Sequence, residues 1–573
     1  MYAEILAMAR GERAAETLLK GVKLLNLFSG EVITTNVALG RGLIVGVGPL
    51  YTRGEKVYDL QGCYLLPGLI DGHIHIESSL LTPPRFAEVV VPHGTTTVIA
   101  DPHEIANVAG ISGIRYMLAA SEHLPLDVFL MAPSCVPATT FETTGATLDA
   151  AAIESLLQSE RVLGLGELMN YPGAIAGEPE VLAKVAATRK RGKLLDGHAP
   201  GLAGADLQAY LTLGIGSDHE CTTLTEAQEK LRQGMWIMLR EGSAAQNLHA
   251  LLPLVNPYTV RRCMLVTDDK EIEGLLREGH MDCNVRKAIA LGLEPCYAIQ
   301  MATLNPAEYF GLRDRGVIAP GYLADLVVVE DLQEFSVKMV FKRGKLVAEQ
   351  GRLLIEIPPA EGEETLHHTV HIRQVTAEAL RIPASHRKIR VIGVIPDQIL
   401  TQTLFLEGTE QEGMLVADPR KDLVKLAVIE RHQASGRIGL GFVHGMGIKQ
   451  GALASSIGHD AHNLIVAGVD DTDMLVAIEA LRQMGGGYVV ARGGEVQARL
   501  PLPVAGLMSP QPPPTVLQAF QAVHEAAKQL GTSLPHPFAT LSFLPLAVIP
   551  TLRLTDRGLV DVTQGRLVPL GVE

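Results

Sequence analysis

Between Leu65 and Gly311, short apolar runs alternate with stretches whose apolar residues recur at helical spacing. Eight runs stand out: LLPGLIDGHIH, GTTTVIADPHE, DVFLMAPS, VLGLGELMN, KLLDGHAPG, LGIGSDHE, GMWIMLREGS and CMLVTDD. A strand that returns parallel to its neighbour needs a long crossover, usually a helix, so repeated β–α units predict a parallel sheet. Eight such units in roughly 250 residues predict an α/β fold of the (β/α)8, TIM-like barrel type. The alternative is a doubly wound open sheet. Polar residues close nearly every run, which favours the barrel, whose sites are built from strand C-terminal ends.

The flanks have a different texture. Residues 1–20 read as a short amphipathic helix, followed by the strand-like runs VKLLNLF, VITTNVALG and LIVGVGPL with glycine turns. GVIAPGYLADLVVVEDL (Gly316–Leu332) and SVKMVFKRGKLVAEQGRL return to that character, so strands on both sides of the barrel are expected to share a sheet. A Pro- and acid-rich linker, EIPPAEGEE (Glu356–Glu364), then precedes a further region of strands and helices. The expected organisation is a small β domain from 1–64 and 312–358, a barrel over 65–311, and a C-terminal α+β domain over 359–573. Pro510–Pro514 reads as an extended connector. A chain of 573 residues exceeds the ~250–300 at which one core stops growing, so several domains are expected.

A net charge of −14 argues against a general nucleic-acid binder, which would carry a basic stripe. Six cysteines without a CxxC pair suit reduced thiols in a cytoplasm. The N-terminus does not read as a signal peptide, and no run reaches the ~18 apolar residues of a membrane span. A cytoplasmic protein with no membrane partner is expected.

The chemistry begins at LLPGLIDGHIHIE (Leu65–Glu77). His73 and His75, one residue apart on a strand, share a face, and neutral imidazoles at a strand end are a natural start to a metal site. Alone they could be ordinary polar residues at a strand terminus. Later strand ends add Glu167, His198, His219 and Asp268, each with its own bland reading as a cap or a satisfied polar residue. Met together around one rim, these six exceed the three protein ligands of a single catalytic zinc and fit two metals ~3.5–4 Å apart. Glu167 is expected to bridge, with His73, His75 and Asp268 on one metal and His198 and His219 on the other. Asp268 is expected to accept the proton of the attacking hydroxide, which implies hydrolysis at an electrophilic carbon.

This order of ligands resembles the amidohydrolase superfamily. More narrowly, PGLIDGHIHIESS, TTTVIADPHEIANV, GELMN, DGHAPG, SDHE and VTDD resemble the bacterial adenine deaminases, as do GHDAHNLIVAG (Gly458–Gly468) and FLPLAVIP (Phe543–Pro550). The resemblance spans nearly the whole chain. It implies hydrolysis of adenine to hypoxanthine and ammonia in purine salvage, on two divalent ions, Mn2+ or Fe2+, with Zn2+ also compatible. Adenine is the expected partner, and the chain is expected to work as a homo-oligomer, a dimer or larger. The resemblance further matches Asp101 and Glu104 of ADPHE to substrate binding and catalysis. Glu104 would bind the ring and deliver a proton, Asp101 would support it, and Asp269 would relay a proton to the amine. Asp101 can also be read as an N-cap of the following helix, a role that does not exclude the first. His103 is a weaker candidate for substrate contact, or with Glu104 for a further ion.

Within the superfamily, the cyclic amidases of dihydroorotase or hydantoinase type bridge their metals with a carbamylated lysine. This chain has Glu167 at that strand, and Lys193 lies upstream of His198. N-acetylglucosamine-6-phosphate deacetylases share the glutamate but need a phosphate-binding set that is not apparent here. Deaminases on the cytidine-deaminase plan need a PCxxC, which is absent. A barrel that binds metal without catalysis is disfavoured by intact acids at Asp101, Glu104 and Asp269. GHDAHN, with His459, Asp460, His462 and Asn463, reads either as a glycine-started turn or as a segment covering the barrel mouth, with His462 near substrate.

Overall fold

The computed structural model describes residues 2–243, 245–396 and 398–572. All eight expected strands of the central block form: β1 (Leu69–Ile74), β2 (Thr95–Ala100), β3 (Asp127–Ala132), β4 (Val162–Leu168), β5 (Leu194–Gly197), β6 (Ser217–Asp218), β7 (Trp236–Arg240) and β8 (Cys263–Val266). β1 to β5 pair in sequence as one parallel sheet. β6 to β8 pair as a second. The two runs meet at both margins. On one side the Gly216 N–H donates to the Leu195 carbonyl at 2.9 Å. On the other, Ile74 bridges in parallel to Asp268, whose N–H reaches the His73 carbonyl at 2.9 Å.

Strand alternation sorts the side chains. Ile70, Ile99, Met131, Met238 and Met264, one from each of five strands, gather with Tyr309 and Phe310 in one buried cluster. Their neighbours Leu69, Val98, Leu130, Ile237 and Leu265 join the larger core against the helices. Each side chain buried this way contributes about 1.5–3 kcal/mol relative to exposure. Gly72 faces the inner cluster, and a Cβ there would lie 2.8 Å from the Met264 sulfur.

The flanking β elements form one nine-stranded sheet, in which Tyr64–Pro67 joins Ala15–Asn26 on one side and Leu326–Val329 on the other. The N-terminal helix is shorter than the pattern suggests. It covers Tyr2–Ala9, the chain turns at Gly11 (φ +73°), and Ala15–Asn26 is already strand. Pairing with Glu31–Gly40 and burial of Leu18, Leu19, Val22 and Leu24 override the helical spacing there.

The C-terminal region builds a second nine-stranded sheet from residues between Lys388 and Val572. Ala427, Ile429, Ala452 and Val466 pack under the helix Asp471–Met484. Leu426, Val428, Leu453 and Ile465 face the opposite way, into the core shared with Phe538 and Leu541. The proline cluster is not a connector: Pro513 starts the helix Pro513–Gln529, where first-turn positions need no N–H donor. Polar bonds tie this region to the central block. Asp556 accepts from the Thr143 N–H at 2.9 Å and its hydroxyl at 2.6 Å, and the Ser509 N–H reaches the Leu80 carbonyl at 2.8 Å. Among the described residues, no helix is long and apolar enough to cross a membrane.

Candidate metal centre and cleft

The six expected ligands converge at the C-terminal ends of the strands. Glu167 stands at their centre. Its Oε1 lies 3.4 Å from His75 Nε2, and its Oε2 lies 2.7 Å from His198 Nδ1 and 3.1 Å from His219 Nε2. Asp268 Oδ1 lies 3.1 Å from His75 Nε2 and 3.6 Å from His73 Nε2. The His73 ring stacks on His219 at 4.0 Å, so His73 belongs to both halves of the cluster. Four overlapping trios have ligand atoms within 4.8 Å of one another: His73–His75–Asp268, His73–Glu167–His219, His75–His103–Glu167 and His198–His219–Glu220. His103 and Glu220 therefore adjoin the expected six.

The donor set fits divalent cations. His73 Nε2 and His103 Nδ1 are buried without a hydrogen-bond partner. His75 Nδ1 lies 2.9 Å from the Asp101 carbonyl, an acceptor only, so Nδ1 donates there and Nε2 is the nitrogen turned toward Glu167 and Asp268. That is the orientation metal-ligating histidines receive from an outer partner.

The supporting residues explain the local sequence. Asp101 Oδ2 accepts the Glu167 N–H at 3.0 Å. It lies against Gly166, where a Cβ would come within 1.9 Å of that oxygen, so the residue before Glu167 must lack a side chain. The helix that follows begins at His103 with Pro102 at its N-cap, so Asp101 braces Glu167 and is not that helix's cap. Asp268 sits at φ +59° in the left-handed region. Its Oδ2 accepts from Arg240 at 2.8 Å, and Arg240 also pairs with Glu220. Burial alone would raise the Asp268 pKa, yet the Arg240 charge and the histidines hold it well below the usual range. Its neighbour Asp269, bonded by the Ser78 hydroxyl, is pushed up by burial and by Asp268 itself.

Glu104 is enclosed by imidazoles. Its Oε1 lies 3.0 Å from His459 Nδ1 and 3.4 Å from His103 Nε2, and its Oε2 pairs with His462 Nε2. His462 Nδ1 accepts the Gly458 N–H at 3.3 Å, so Nε2 is its donor toward Glu104. Burial would lift the Glu104 pKa, but His459 and His462 hold it well below normal. Glu104 is thus arranged as an acceptor, and the structure offers Asp269 as the carboxyl that keeps its proton more readily. The GHDAHN segment is more than a turn: it reaches the first turn of His103–Ala120, and Asn463 Nδ2 donates to the Thr143 carbonyl at 2.8 Å.

A cleft leads to this cluster, lined among others by Glu77, Ser78, Glu104, Asp269, His459 and Phe543. His459 stacks on Phe543 at 4.5 Å. Sequence reasoning gave no role to Glu77, Glu220 or Arg240, and read His459 only as a member of the GHDAHN segment. Glu220 and Arg240 carried a usable signal, since both lie at the end of a strand of the central block, in SDHE and MLREGS. Lys193 donates to the Ser159 carbonyl at 2.7 Å and to that of Val162, so it does not serve as a bridge.

Residues 64–347 match the amidohydrolase family, and 398–566 match the adenine deaminase C-terminal domain. Over 570 residues the chain is 49% identical to adenine deaminase 2 of Carboxydothermus hydrogenoformans, covering 99% of both. Over 566 residues it is 49% identical to an adenine deaminase of Dehalococcoides mccartyi, covering 99% of this chain and 98% of that one. Among solved structures, an enamidase aligns with TM-score 0.46 at 18% identity, covering 60% of this chain and 98% of its own. With its strand-end histidines and carboxylates, the chain is an amidohydrolase. The full-length identity carries the assignment further: it belongs to the adenine deaminase family.

Proposed function

We propose that the Glu167-centred cluster is the catalytic centre at which this adenine deaminase hydrolyses adenine to hypoxanthine and ammonia. The observation that carries the reading is that the two oxygens of Glu167 face different histidines, His75 with His103 and His198 with His219. We read the two parallel runs as one (β/α)8 barrel, 1–64 with 312–358 as a β domain, and 359–573 as a third unit.

Two divalent cations, Mn2+ or Fe2+, held by His73, His75, Glu167, His198, His219 and Asp268, would supply hydroxide near neutral pH and polarise the amidine. The chain's own groups do the rest. Asp268 Oδ1 takes the proton of the attacking water while Arg240 fixes Oδ2. Attack at the amidine carbon leaves an amine that needs a proton to depart as ammonia, and Asp269, held in place by Ser78, delivers it. A carboxylate offers about four lone-pair sites. Three on Glu104 face imidazoles, which leaves one to accept from the exocyclic amine. The C-terminal wall of the cleft limits water around the reacting carbon.

The test is ammonia release by purified protein, expressed with manganese and an iron chelator, from adenine, dihydroorotate and N-acetylglucosamine 6-phosphate. Release from adenine alone is expected. Turnover of the cyclic amide or the acetamido sugar without adenine deamination would overturn the reading.

A further inference from the structure

Glu77 follows the HxH pair by two residues, on a 3-10 turn (Ile76–Ser79), and its side chain is buried. Its Oε1 accepts the Ile105 N–H at 3.2 Å, in the first turn of the helix His103–Ala120, which accounts for that oxygen as an N-terminal partner of the helix. Oε2 is different. It is buried, has no hydrogen-bond partner, and belongs to a residue that lines the cleft together with Glu104 and Asp269. A buried carboxylate oxygen without a donor costs free energy, and an arriving N–H would relieve that cost. A free purine carries one ring N–H, at N7 or N9, and a purine substituted at that nitrogen does not.

From this geometry we infer that Glu77 Oε2 accepts the ring N–H of an unsubstituted purine, making Glu77 the residue that selects the free nucleobase over N-substituted purines. The inference rests on the reading of the rim cluster as the catalytic centre, since it places the ring in the adjoining cleft. Sites that hydrogen-bond a substrate N–H reject analogues lacking it strongly, because their own buried group is then left unpaired.

The experiment compares kcat and KM for adenine, 7-methyladenine and 9-methyladenine in the wild type, Glu77→Gln and Glu77→Asp, with metal content measured in each. In Glu77→Gln the Ile105 N–H holds the amide oxygen, so the amide NH2 faces the cleft, a donor opposite a donor. The wild type is expected to reject at least one methyl isomer by 100-fold or more. Glu77→Gln is expected to lose 10- to 100-fold in kcat/KM for adenine, mainly through KM, with bound metal unchanged. The rejected isomer should change by less than threefold, so discrimination collapses, and Glu77→Asp should restore part of it. Equal losses for all three substrates would assign Glu77 to helix support alone and overturn the inference, as would no loss. Calorimetric binding of adenine to the same proteins reports recognition without turnover. Failure of the catalytic reading and failure of this one therefore give separate results.

Discussion

Two clusters in the central block have the composition of a metal site, and they differ in what fills them. Around Asp218, the carboxylates of Asp218 and Glu226 and the thiol of Cys221 lie within ligand distance of one another. Yet the buried ammonium of Lys230 sits 2.8 Å from Asp218 and 2.7 Å from Glu226, and donates to the Ala199 carbonyl at 2.6 Å. At the rim, histidine nitrogens converge on Glu167 and Asp268, some with no partner, and among the described residues the fixed cation paired with Asp268 is Arg240, at its outer oxygen. A cluster that carries its own cation is a brace; one whose buried lone pairs remain open is a site. The brace serves the site, because Ala199 and Asp218 adjoin His198 and His219.

The comparison breaks most sharply at Glu167. Glu167→Gln removes one of the two charged oxygens that face the separate histidine groups. The expected outcome is loss of one of two tightly held metals and a fall in kcat of about 10^2- to 10^3-fold, the scale on which removing a charge-stabilising catalytic group acts. Metal analysis and ammonia release check it, with circular dichroism unchanged. Retention of two tightly bound ions would disprove the bridge.

Lys230→Met should give the opposite pattern, a loss of stability with the metal ligands chemically intact. Removing one partner of a buried pair costs about 3–5 kcal/mol, because the remaining charge is left uncompensated. Burial opposes ionisation of Asp218, but Lys230 brings its pKa down to about 2. A depressed folded-state value stabilises the fold above the unfolded carboxylate pKa of about 3.9, and that contribution is lost as pH falls toward 2. Without Lys230 the buried carboxyl prefers its proton. The variant's deficit in urea midpoint should therefore be largest at pH 7 and shrink below about pH 4. A deficit independent of pH would mean that Lys230 acts through packing alone.

The same contrast shows what could be read from the residue order. His73, His75, Glu167, His198, His219 and Asp268 each close a strand, and strand ends around a parallel sheet meet by construction, so local pattern and topology sufficed. The two Lys230 partners and Arg240 were not assigned because a buried ion pair depends on which helix packs where, and spacing does not carry that. Glu104 was legible as an acid of the site but not as an acceptor, since its character comes from His459 and His462, more than 350 positions away. The helix after Pro512 was hidden for a local reason: prolines break helices in their interior yet suit their first turn.

His462 tests the weakest limb of the comparison, whether the C-terminal segment acts on the site or only packs against it. His462→Ala leaves Glu104 Oε2 buried without its donor, a loss of about 1–3 kcal/mol, which corresponds to roughly 5- to 160-fold if it falls on the reaction. His462→Gln keeps an N–H at similar reach and should recover most of that. If Glu104 holds the exocyclic amine, the loss appears in kcat more than in KM, because the contact matters most as the amine departs. A lower melting temperature with kcat and KM unchanged in both variants would reduce the segment to a clamp between domains. The contact between Asn463 and Thr143 supports such a clamp independently, so Asn463→Ala serves as the control: it should cost stability without changing the kcat/KM split.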